Sequence, residues 1–210
     1  MPRTADHEQR RRQIADAVSR LISEQGLDAV TVARTAAAAG MSVGLVQHYF
    51  RTKDEMLLHT FREVSARIRA RVEARIRDGV AHRRSLAGVM ADVMTEYIPL
   101  DEARRAEYRV ARAFAGRALD APALADVDTE SARRMREDIA RAVHNGKECG
   151  EVDEALDPRS AAVRLAAVME GLALQVYREP EAEAVAGFVA PLLEAELALV
   201  FTGACRQYTA

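Results

Sequence analysis

The sequence predicts an all-α fold, and three observations lead to this prediction. Apolar residues recur at intervals of three and four along almost every segment, which is the spacing of one face of an α-helix. The sequence contains no run of alternating, β-branched residues of the kind that forms strands. The chain has 210 residues, 49% of them hydrophobic, which suffices for one sizeable core and a smaller one. We therefore expect about nine helices in one or two domains.

The first three helices are predicted from apolar stripes and from residues that end helices. A stripe that starts at Ile14 marks the first helix, which Gly26 can end through a left-handed backbone conformation. Thr31 can cap a short, alanine-rich second helix that stops at Gly40. Ser42 can cap a third short helix, which only a tight turn separates from the second. Two short helices joined in this way form a helix-turn-helix.

The later helices are predicted from residues that cap helix N-termini. Thr52, with Glu55 three residues later, forms a capping box for a long fourth helix that runs to about Asp78. Four further capping residues each precede a helical pattern: Ser85 before 86–98, Asp101 before 102–119, Asp120 before 121–145 and Asp157 before 158–177. A last helix is expected over 181–202, and residues 145–154 are predicted to be a loop.

The third helix has an apolar side, formed by Val46 and Phe50, and an opposite side without acidic groups. That opposite side consists of Val43, Gly44, Gln47 and His48. The second helix of a helix-turn-helix lies in the major groove of DNA, where Gln47 can pair with a base edge, best with adenine. Residues 1–84 hold 16 Lys+Arg against 10 Asp+Glu, which agrees with a polyanionic partner. The pattern therefore predicts binding to double-stranded DNA.

Other residues of this region are candidates for contacts with DNA. Val43 and Leu45 can touch thymine methyl groups, and Gly44 lets the helix backbone approach the bases. Lys53 and the hydroxyl groups of Thr31 and Thr52 can hold phosphates, which supplies position and salt-dependent affinity. Four arginines expected to precede the first helix can add phosphate or minor-groove contacts: Arg3, Arg10, Arg11 and Arg12. The complete candidate DNA-binding set is Thr31, Val43, Gly44, Leu45, Gln47, His48, Tyr49 and Lys53.

Residues 31–58, with the sequence TVARTAAAAGMSVGLVQHYFRTKDEMLL, resemble the tetracycline repressor-like (TetR) family of bacterial transcription regulators. The most specific part is the pattern G-x-S-x-G-x-x-x-x-Y-F-x-x-K-[DE], which runs from Gly40 to Asp54. Two residues depart from the family: Thr35 stands where Ile is usual, and Leu45 stands where a Thr often meets DNA. The segments IPLDEARRAEYRVARAFAGRAL and AAVMEGLALQVY loosely resemble the C-terminal domain of choline-responsive, BetI-like regulators.

The resemblance implies a homodimeric, ligand-inducible repressor of transcription. Residues 1–54 would form the DNA-binding domain, and residues 55–210 would form the effector-binding and dimerisation domain. Two recognition helices roughly 34 to 36 Å apart would read a palindromic operator. A small-molecule effector bound in the second domain would move the long fourth helix and take both recognition helices out of register with the DNA grooves.

Apolar side chains of the second domain allow two interpretations each. Met and aromatic residues can line an effector cavity or simply fill the core, and the broad faces of the last two helices can form a dimer interface or the monomer core. Glu170 lies in a long apolar stretch, where a partly buried carboxylate could meet a cationic ligand or, equally, could serve a helix-capping or interface role. The candidate effector-binding residues are Met90, Met94, Tyr97, Tyr108, Phe114, Met169, Glu170 and Tyr177. The candidate dimer-interface residues are Leu165, Met169, Leu172, Phe188, Leu192, Leu193 and Leu197.

The sequence predicts no enzyme, cofactor, metal site or membrane segment. It has no H-E-x-x-H motif or phosphate-binding loop, and Cys149 and Cys205 lack zinc-site spacing, so both are interpreted as ordinary thiols. His59, His82 and His144 are expected on helix surfaces or in loops. The chain opens without a secretory signal, which predicts a cytoplasmic protein. Two alternatives stay open: an effector-independent DNA-binding regulator, and a helical small-molecule carrier or enzyme.

Overall fold

A computed structural model describes residues 2–179 and 182–206, with side chains from residue 6 in the first segment and from residue 185 in the second. Within these residues the chain forms nine α-helices and one isolated β-bridge, which confirms the predicted all-α fold. No helix in the described part is long and apolar enough to cross a membrane. The helices are α1 (Pro2–Gln25), α2 (Val32–Ala39), α3 (Val43–Tyr49), α4 (Lys53–Ala81), α5 (Leu86–Thr95), α6 (Glu102–Ala118), α7 (Pro122–Cys149), α8 (Pro158–Arg178) and α9 (Ala182–Ala198).

Most predicted capping residues do begin a helix. The hydroxyl oxygens of Thr31, Ser42 and Ser85 each accept a hydrogen bond of 3.2 Å from the backbone N–H three residues later. The Asp157 carboxylate accepts hydrogen bonds from two backbone N–H groups in the first turn of α8. Pro158 begins this turn and has no N–H group that would need a partner. These bonds satisfy N–H groups that no helical carbonyl can reach.

The C-terminal end of α7 differs from the prediction. The helix continues through Cys149, so five residues of the predicted 145–154 loop are helical, and Gly150 ends the helix with a φ of +90°. Gly146 is buried in the helix, and a Cβ there would lie 2.5 Å from the Val152 side chain and 3.2 Å from Phe201. Close packing of this turn outweighs the low helix propensity of glycine, and sequence pattern alone does not report such packing.

The chain divides into two compact units, each with its own internal contacts. One unit comprises the chain up to Arg67 together with Arg105–Asp128, and the other comprises Ile68–Arg104 together with the chain from Thr129 onwards. Helix α4 contributes to both. This division reflects packing and not function, so the domain boundary after residue 54 stays a prediction.

The first unit has a core that joins α1 to α4 and α6. Ile14 is fully buried on the apolar stripe of α1. The Phe114 ring of α6 stacks on the Phe61 ring of α4 with centroids 4.0 Å apart. The Arg117 guanidinium donates two hydrogen bonds of 2.9 Å to the Asp54 carboxylate at the start of α4. These contacts fix α6 against the first three turns of α4.

Thr35 on α2 is the buried position that departs from the family pattern. Its side chain is fully buried, and its hydroxyl has no hydrogen-bond partner among the described residues. Burying a hydroxyl without a partner costs about 1 to 3 kcal/mol. Thr35→Val keeps the shape and removes the hydroxyl, so we expect the free energy of unfolding to rise by about 1 kcal/mol in urea denaturation.

Thr60 provides the matched control for that substitution. It is equally buried, but its hydroxyl donates to the carbonyl of Met56 at 2.8 Å. Thr60→Val therefore loses a hydrogen bond, and its free energy of unfolding should fall by about 0.5 to 1 kcal/mol. A loss of stability in Thr35→Val would contradict the interpretation that its hydroxyl is unsatisfied.

The second unit is organised around a buried carboxylate and the pairing of its last helices. The Glu96 carboxylate, 2% exposed, accepts hydrogen bonds from Arg71 Nε at 3.0 Å and Arg75 Nε at 2.8 Å, and pairs with Arg104 Nη2 at 3.0 Å. Helix α9 packs against both α5 and α8. An ion pair of 2.8 Å from Arg164 to Glu196 joins the exposed edges of α8 and α9.

Candidate nucleic-acid interface

Helix α3 presents one side to the core of the first unit and the other to solvent. Val46 is fully buried, and Phe50, which ends the helix, is 2% exposed. The residues on the opposite side are exposed, and Val43 is 44% exposed. We call this side the α3 face, and it consists of Val43, Gly44, Gln47 and His48. The α3 face has the orientation that the sequence pattern predicted, and it is free to meet a ligand.

A tight turn sets the direction of α3 relative to α2. Gly40 adopts a left-handed conformation with φ 64° and ψ 35°, and the Met41 N–H donates to the carbonyl of Ala36 at 2.9 Å. Residues 40–44 also match G-x-S-x-G, the pattern of hydrolase nucleophiles. That chemistry requires a strand before the serine, whereas here two helices flank it and the Ser42 hydroxyl caps α3.

The inner end of α3 is anchored by a cluster of aromatic and cationic groups. The Arg11 guanidinium lies 4.6 Å over the Phe50 ring, and the His59 ring lies 5.1 Å away from Phe50. His59 is therefore buried, and the prediction that it lies on a helix surface is wrong. Its burial, and then the charge of Arg11, lower the pKa of His59, so the ring is neutral at pH 7.

The N-terminal arginines do not precede the first helix as predicted. Helix α1 starts at Pro2, so Arg10, Arg11 and Arg12 lie within it. Arg11 serves the core around Phe50, Arg10 is 3.6 Å from Asp6, and Arg12 is 3.9 Å from a carboxylate of α4. The side chain of Arg3 lies outside the described residues. A flexible minor-groove arm is thus not formed by residues 10–12.

Tyr49 and Leu45 are half-buried at the border of the α3 face. The Tyr49 ring lies between two histidine rings, with centroids 4.7 Å from His7 and 5.4 Å from His48. His7 of α1 is exposed beside α3. Sequence reasoning missed this residue because it lies 42 positions before Tyr49 in the chain, and only the packing of α1 reveals the proximity.

The candidate phosphate-binding groups flank the α3 face. Thr31 and Thr52 are exposed, and each hydroxyl oxygen accepts a hydrogen bond from a backbone N–H at a helix start. The hydroxyl proton of each threonine can still be donated to a phosphate oxygen. The Lys53 ammonium lies 4.0 Å from the exposed Asp28 carboxylate. Such a weak, solvent-exposed pair contributes little to stability, so a phosphate can replace Asp28 as the partner of Lys53.

The candidate effector-binding residues fall into both packing units. Tyr108 and Phe114 belong to the first unit, where Phe114 is core. In the second unit the methionines Met90, Met94 and Met169 are buried, and Tyr97 and Tyr177 are half-buried. Burial, followed by the charge of a nearby carboxylate, raises the pKa of Tyr97, so its hydroxyl stays protonated. Glu170 is exposed in the single chain, so the expectation of a partly buried carboxylate is wrong.

The candidate dimer-interface residues also divide into two groups. Leu165, Met169, Leu193 and Leu197 are 3% exposed or less and pack inside the single chain. Leu172 is half-buried. Phe188 and Leu192 are 64% and 48% exposed, and two residues outside the candidate set share this exposure: Val163 at 58% and Leu199 at 56%. The exposed large apolar residues in and just after α8 and α9 therefore overlap the predicted set only at Phe188 and Leu192.

Comparisons with known proteins agree over nearly the whole chain. A family model described as BetI-type transcriptional repressor, C-terminal, matches residues 87–200, and one described as bacterial regulatory proteins, tetR family, matches residues 14–60. The HTH-type transcriptional regulator PksA of Bacillus subtilis is 31% identical over 193 residues, which cover 86% of this chain and 84% of PksA. The regulator BetI of Burkholderia thailandensis is 32% identical over 189 residues, covering 83% of this chain and 85% of BetI.

A solved structure gives the same result for the fold. A transcriptional regulator from Rhodococcus sp. Rha1 superposes with a TM-score of 0.78 and 28% identity, covering 91% of this chain and 96% of the other. These relatives are regulators of transcription and not enzymes, which confirms the predicted lack of a catalytic role. The chain, with its N-terminal helix-turn-helix, belongs to the TetR family of DNA-binding bacterial transcriptional regulators and carries a BetI-type repressor C-terminal domain.

Proposed function

We propose that this regulator is a homodimeric, ligand-inducible repressor that reads a palindromic operator through the α3 face. The observation that carries the proposal is the exposure of that face above a buried anchor: Gln47 and His48 point to solvent while Val46 and Phe50 hold the helix in place. A rigidly mounted, solvent-facing helix with neutral polar and apolar groups suits direct readout of bases in the major groove.

The direct test is binding to DNA upstream of the protein's own coding region. Fluorescence anisotropy with this DNA and with a scrambled duplex, at several salt concentrations, separates specific from non-specific affinity. We expect at least about a 1,000-fold preference for one site at physiological salt, and a footprint with two-fold symmetry. Equal affinity for both duplexes would overturn the proposal.

Gln47 and Lys53 should give different mutational signatures. Gln47→Ala removes a group proposed to read a base, so we expect a loss of about 1 to 3 kcal/mol that depends on the base at one operator position. Lys53→Ala removes a phosphate contact, so it should weaken binding to all sequences alike and reduce the salt slope by about one. Each variant is measured against operators substituted at every position. Equal losses on all operators for Gln47→Ala would show that Gln47 does not read bases.

The proposed dimer uses the exposed apolar surface of α8 and α9. Its exposed apolar residues are Val163 of α8, Phe188 and Leu192 of α9, and Leu199 just after α9, and Gly171 of α8 is exposed with open space where a Cβ would stand. Small residues let helices of two subunits approach closely, and a two-fold interface would bury each apolar residue twice. This surface supports a four-helix interface and replaces the four core residues of the sequence-based set.

Leu192→Ala is expected to weaken dimerisation about tenfold, because a two-fold axis places this leucine in the interface twice. Sedimentation equilibrium of the purified protein measures the change. Leu119→Ala is the matched control, since Leu119 is 87% exposed on the other packing unit. A monomeric wild-type protein, or equal dimer affinities for both variants, would contradict the proposed interface.

The proposed inducer is a small molecule that binds the second unit. The buried methionines of α5 and α8, with the half-buried Tyr97 just after α5 and Tyr177 of α8, support a mainly apolar site with a few polar groups. To release DNA, the inducer must bind the DNA-free state more tightly, and typical coupling of about 1 to 3 kcal/mol gives about 5- to 150-fold weaker operator binding.

A thermal-shift screen of small organic cations and apolar metabolites tests for this ligand. A compound present at 100 times its dissociation constant should stabilise the protein by about 2.7 kcal/mol and should lower operator affinity in the anisotropy assay. Failure of every compound to do both, with the operator still bound, would favour an effector-independent regulator.

A further inference from the structure

The two cysteines, which are far apart in the sequence, are brought together at the end of α7. The segment that follows α9 runs antiparallel to the turn after α7 and is joined to it by backbone contacts. The paired residues are Cys149 with Arg206, Glu151 with Gly203, and Val152 with Phe201. Only glycine allows this approach at position 203, because a Cβ there would lie 2.2 Å from the carbonyl oxygen of Gly150. The pairing places Cys205 beside Cys149.

Three potential metal ligands meet at this point. The Sγ atoms of Cys149 and Cys205 and a carboxylate oxygen of Glu151 all lie within 4.8 Å of one another. The distance from Cys149 Sγ to Glu151 Oε1 is 3.7 Å. Cys149 and Glu151 are buried and Cys205 is half-buried, so a bound ion would be shielded on one side and reachable on the other.

The Glu151 carboxylate is held in place by the first turn of α5. The N–H of Leu86 donates to Glu151 Oε1 at 2.9 Å, and the N–H of Ala87 donates to Oε2 at 3.1 Å. Carboxylates that bind metals are commonly oriented by hydrogen bonds of this kind, which fix the direction of the remaining lone pairs. The cluster is thus a fixed carboxylate beside two thiols.

We propose that Cys149, Cys205 and Glu151 bind a thiolate-preferring divalent metal ion of the zinc class. Tetrahedral zinc, with sulfur at about 2.3 Å and oxygen at about 2.0 Å, needs donors about 3.6 to 3.8 Å apart, so side-chain shifts of about 1 Å suffice. Binding replaces two thiol protons, which pass to solvent. Water completes the fourth position. Two sulfur donors disfavour Mg²⁺ and Ca²⁺, which take oxygen ligands.

The ion would fasten the end of the described chain to α7 and, through Glu151, to α5. All three ligands belong to the second packing unit, and none lies in the DNA-binding surface. The proposed metal site is therefore independent of the proposed operator, dimer and inducer. Failure of the metal site would leave the proposed repressor function intact, and the converse also holds. Metal binding is expected to raise the melting temperature of the full-length protein.

Cobalt titration of the reduced full-length protein tests the site. A non-thiol reductant keeps the cysteines reduced, and Co²⁺ serves as the spectroscopic substitute for Zn²⁺. We expect one Co²⁺ per chain, a thiolate-to-cobalt charge-transfer band in the near ultraviolet whose intensity corresponds to two thiolates, and visible bands of a tetrahedral ion that Zn²⁺ abolishes. The chain has two cysteines, so the band has no other source.

Two substitutions and a control complete the test. Cys205→Ser and Glu151→Gln should each weaken Co²⁺ binding at least tenfold, whereas Glu148→Gln, at an exposed glutamate near the end of α7, should leave it unchanged. Absence of a thiolate band, unchanged affinity in Cys205→Ser, one ion shared by two chains, or a disulfide that excludes the ion would each overturn the proposal. Should a variant fail to fold by circular dichroism, the thiolate count of the wild-type complex decides.

Discussion

Gly44→Glu is expected to abolish specific operator binding while the protein remains folded. An α-helix with its side chains is about 10 to 12 Å wide and the major groove is about 12 Å wide, so α3 fits only where its outer residues are small. A glutamate at the centre of the α3 face adds bulk and a negative charge next to phosphates. We expect at least a 1,000-fold loss, which takes specific affinity down to the non-specific level.

The fold should tolerate this change because nothing occupies the space beside Gly44. A Cβ at that position has no atom within 4 Å, and replacing a helical glycine stabilises a helix by roughly 0.5 to 1 kcal/mol. Anisotropy with the operator measures affinity, and urea denaturation measures stability.

Gly116→Glu is the matched control for the same change in charge and helix propensity. Gly116 is an exposed glycine of α6, also with no atom within 4 Å of a Cβ. Its operator affinity should stay within a few fold of the wild type after correction for net charge. Operator binding by Gly44→Glu at near wild-type affinity would show that α3 does not enter the groove.

Local signals predicted helix starts and the α3 face, because those features depend on neighbouring residues. The Ser42 hydroxyl and the N–H it caps are three residues apart, and the outer side of α3 follows from helical spacing alone. The sequence could not predict which side of α9 meets the core, because α9 has apolar residues on several of its sides. Leu192 and Leu193 are adjacent and chemically identical, yet one is 48% exposed and the other is fully buried.

The remaining features depend on contacts between distant segments. Arg11 and His59 reach Phe50 only after α1, α3 and α4 have packed together. Cys149 and Cys205 meet because backbone pairing aligns the chain after α9 with the turn after α7. Spacing rules for metal sites detect ligands within one motif, so a site assembled from two segments gives no sequence signal.

Glu96→Gln is expected to lower the free energy of unfolding at pH 7 by about 3 kcal/mol. The buried carboxylate faces the guanidinium groups of Arg71, Arg75 and Arg104, whose side chains are 33%, 51% and 19% exposed. Removing the anion leaves three cations close together. Because these cations keep part of their hydration, the expected cost lies at the lower end of the range for a broken buried ion pair.

The pH dependence gives this prediction a second measurement. Burial alone would raise the pKa of Glu96, but hydrogen bonds from Arg75 and Arg71 and the charge of Arg104 outweigh it and hold the pKa below its ordinary value of 4.5. A depressed pKa means that the unfolded chain binds the proton more tightly, so the stabilisation is present above pH 4.5 and is lost as the pH falls through the folded-state value.

The stability difference between wild type and Glu96→Gln should therefore narrow below about pH 4.5 and vanish at lower pH. Neutral His59 also loses stabilisation on acidification, but its window begins near its ordinary pKa of 6.5 and is common to both proteins. Glu130→Gln is the control, since the Glu130 side chain is 38% exposed, against 2% for Glu96, and pairs with Arg133 and Arg134 on α7. Solvent screens that pair, so its removal should change stability little. A pH-independent difference for Glu96→Gln would show that packing of the side chain, and not its charge, stabilises this unit.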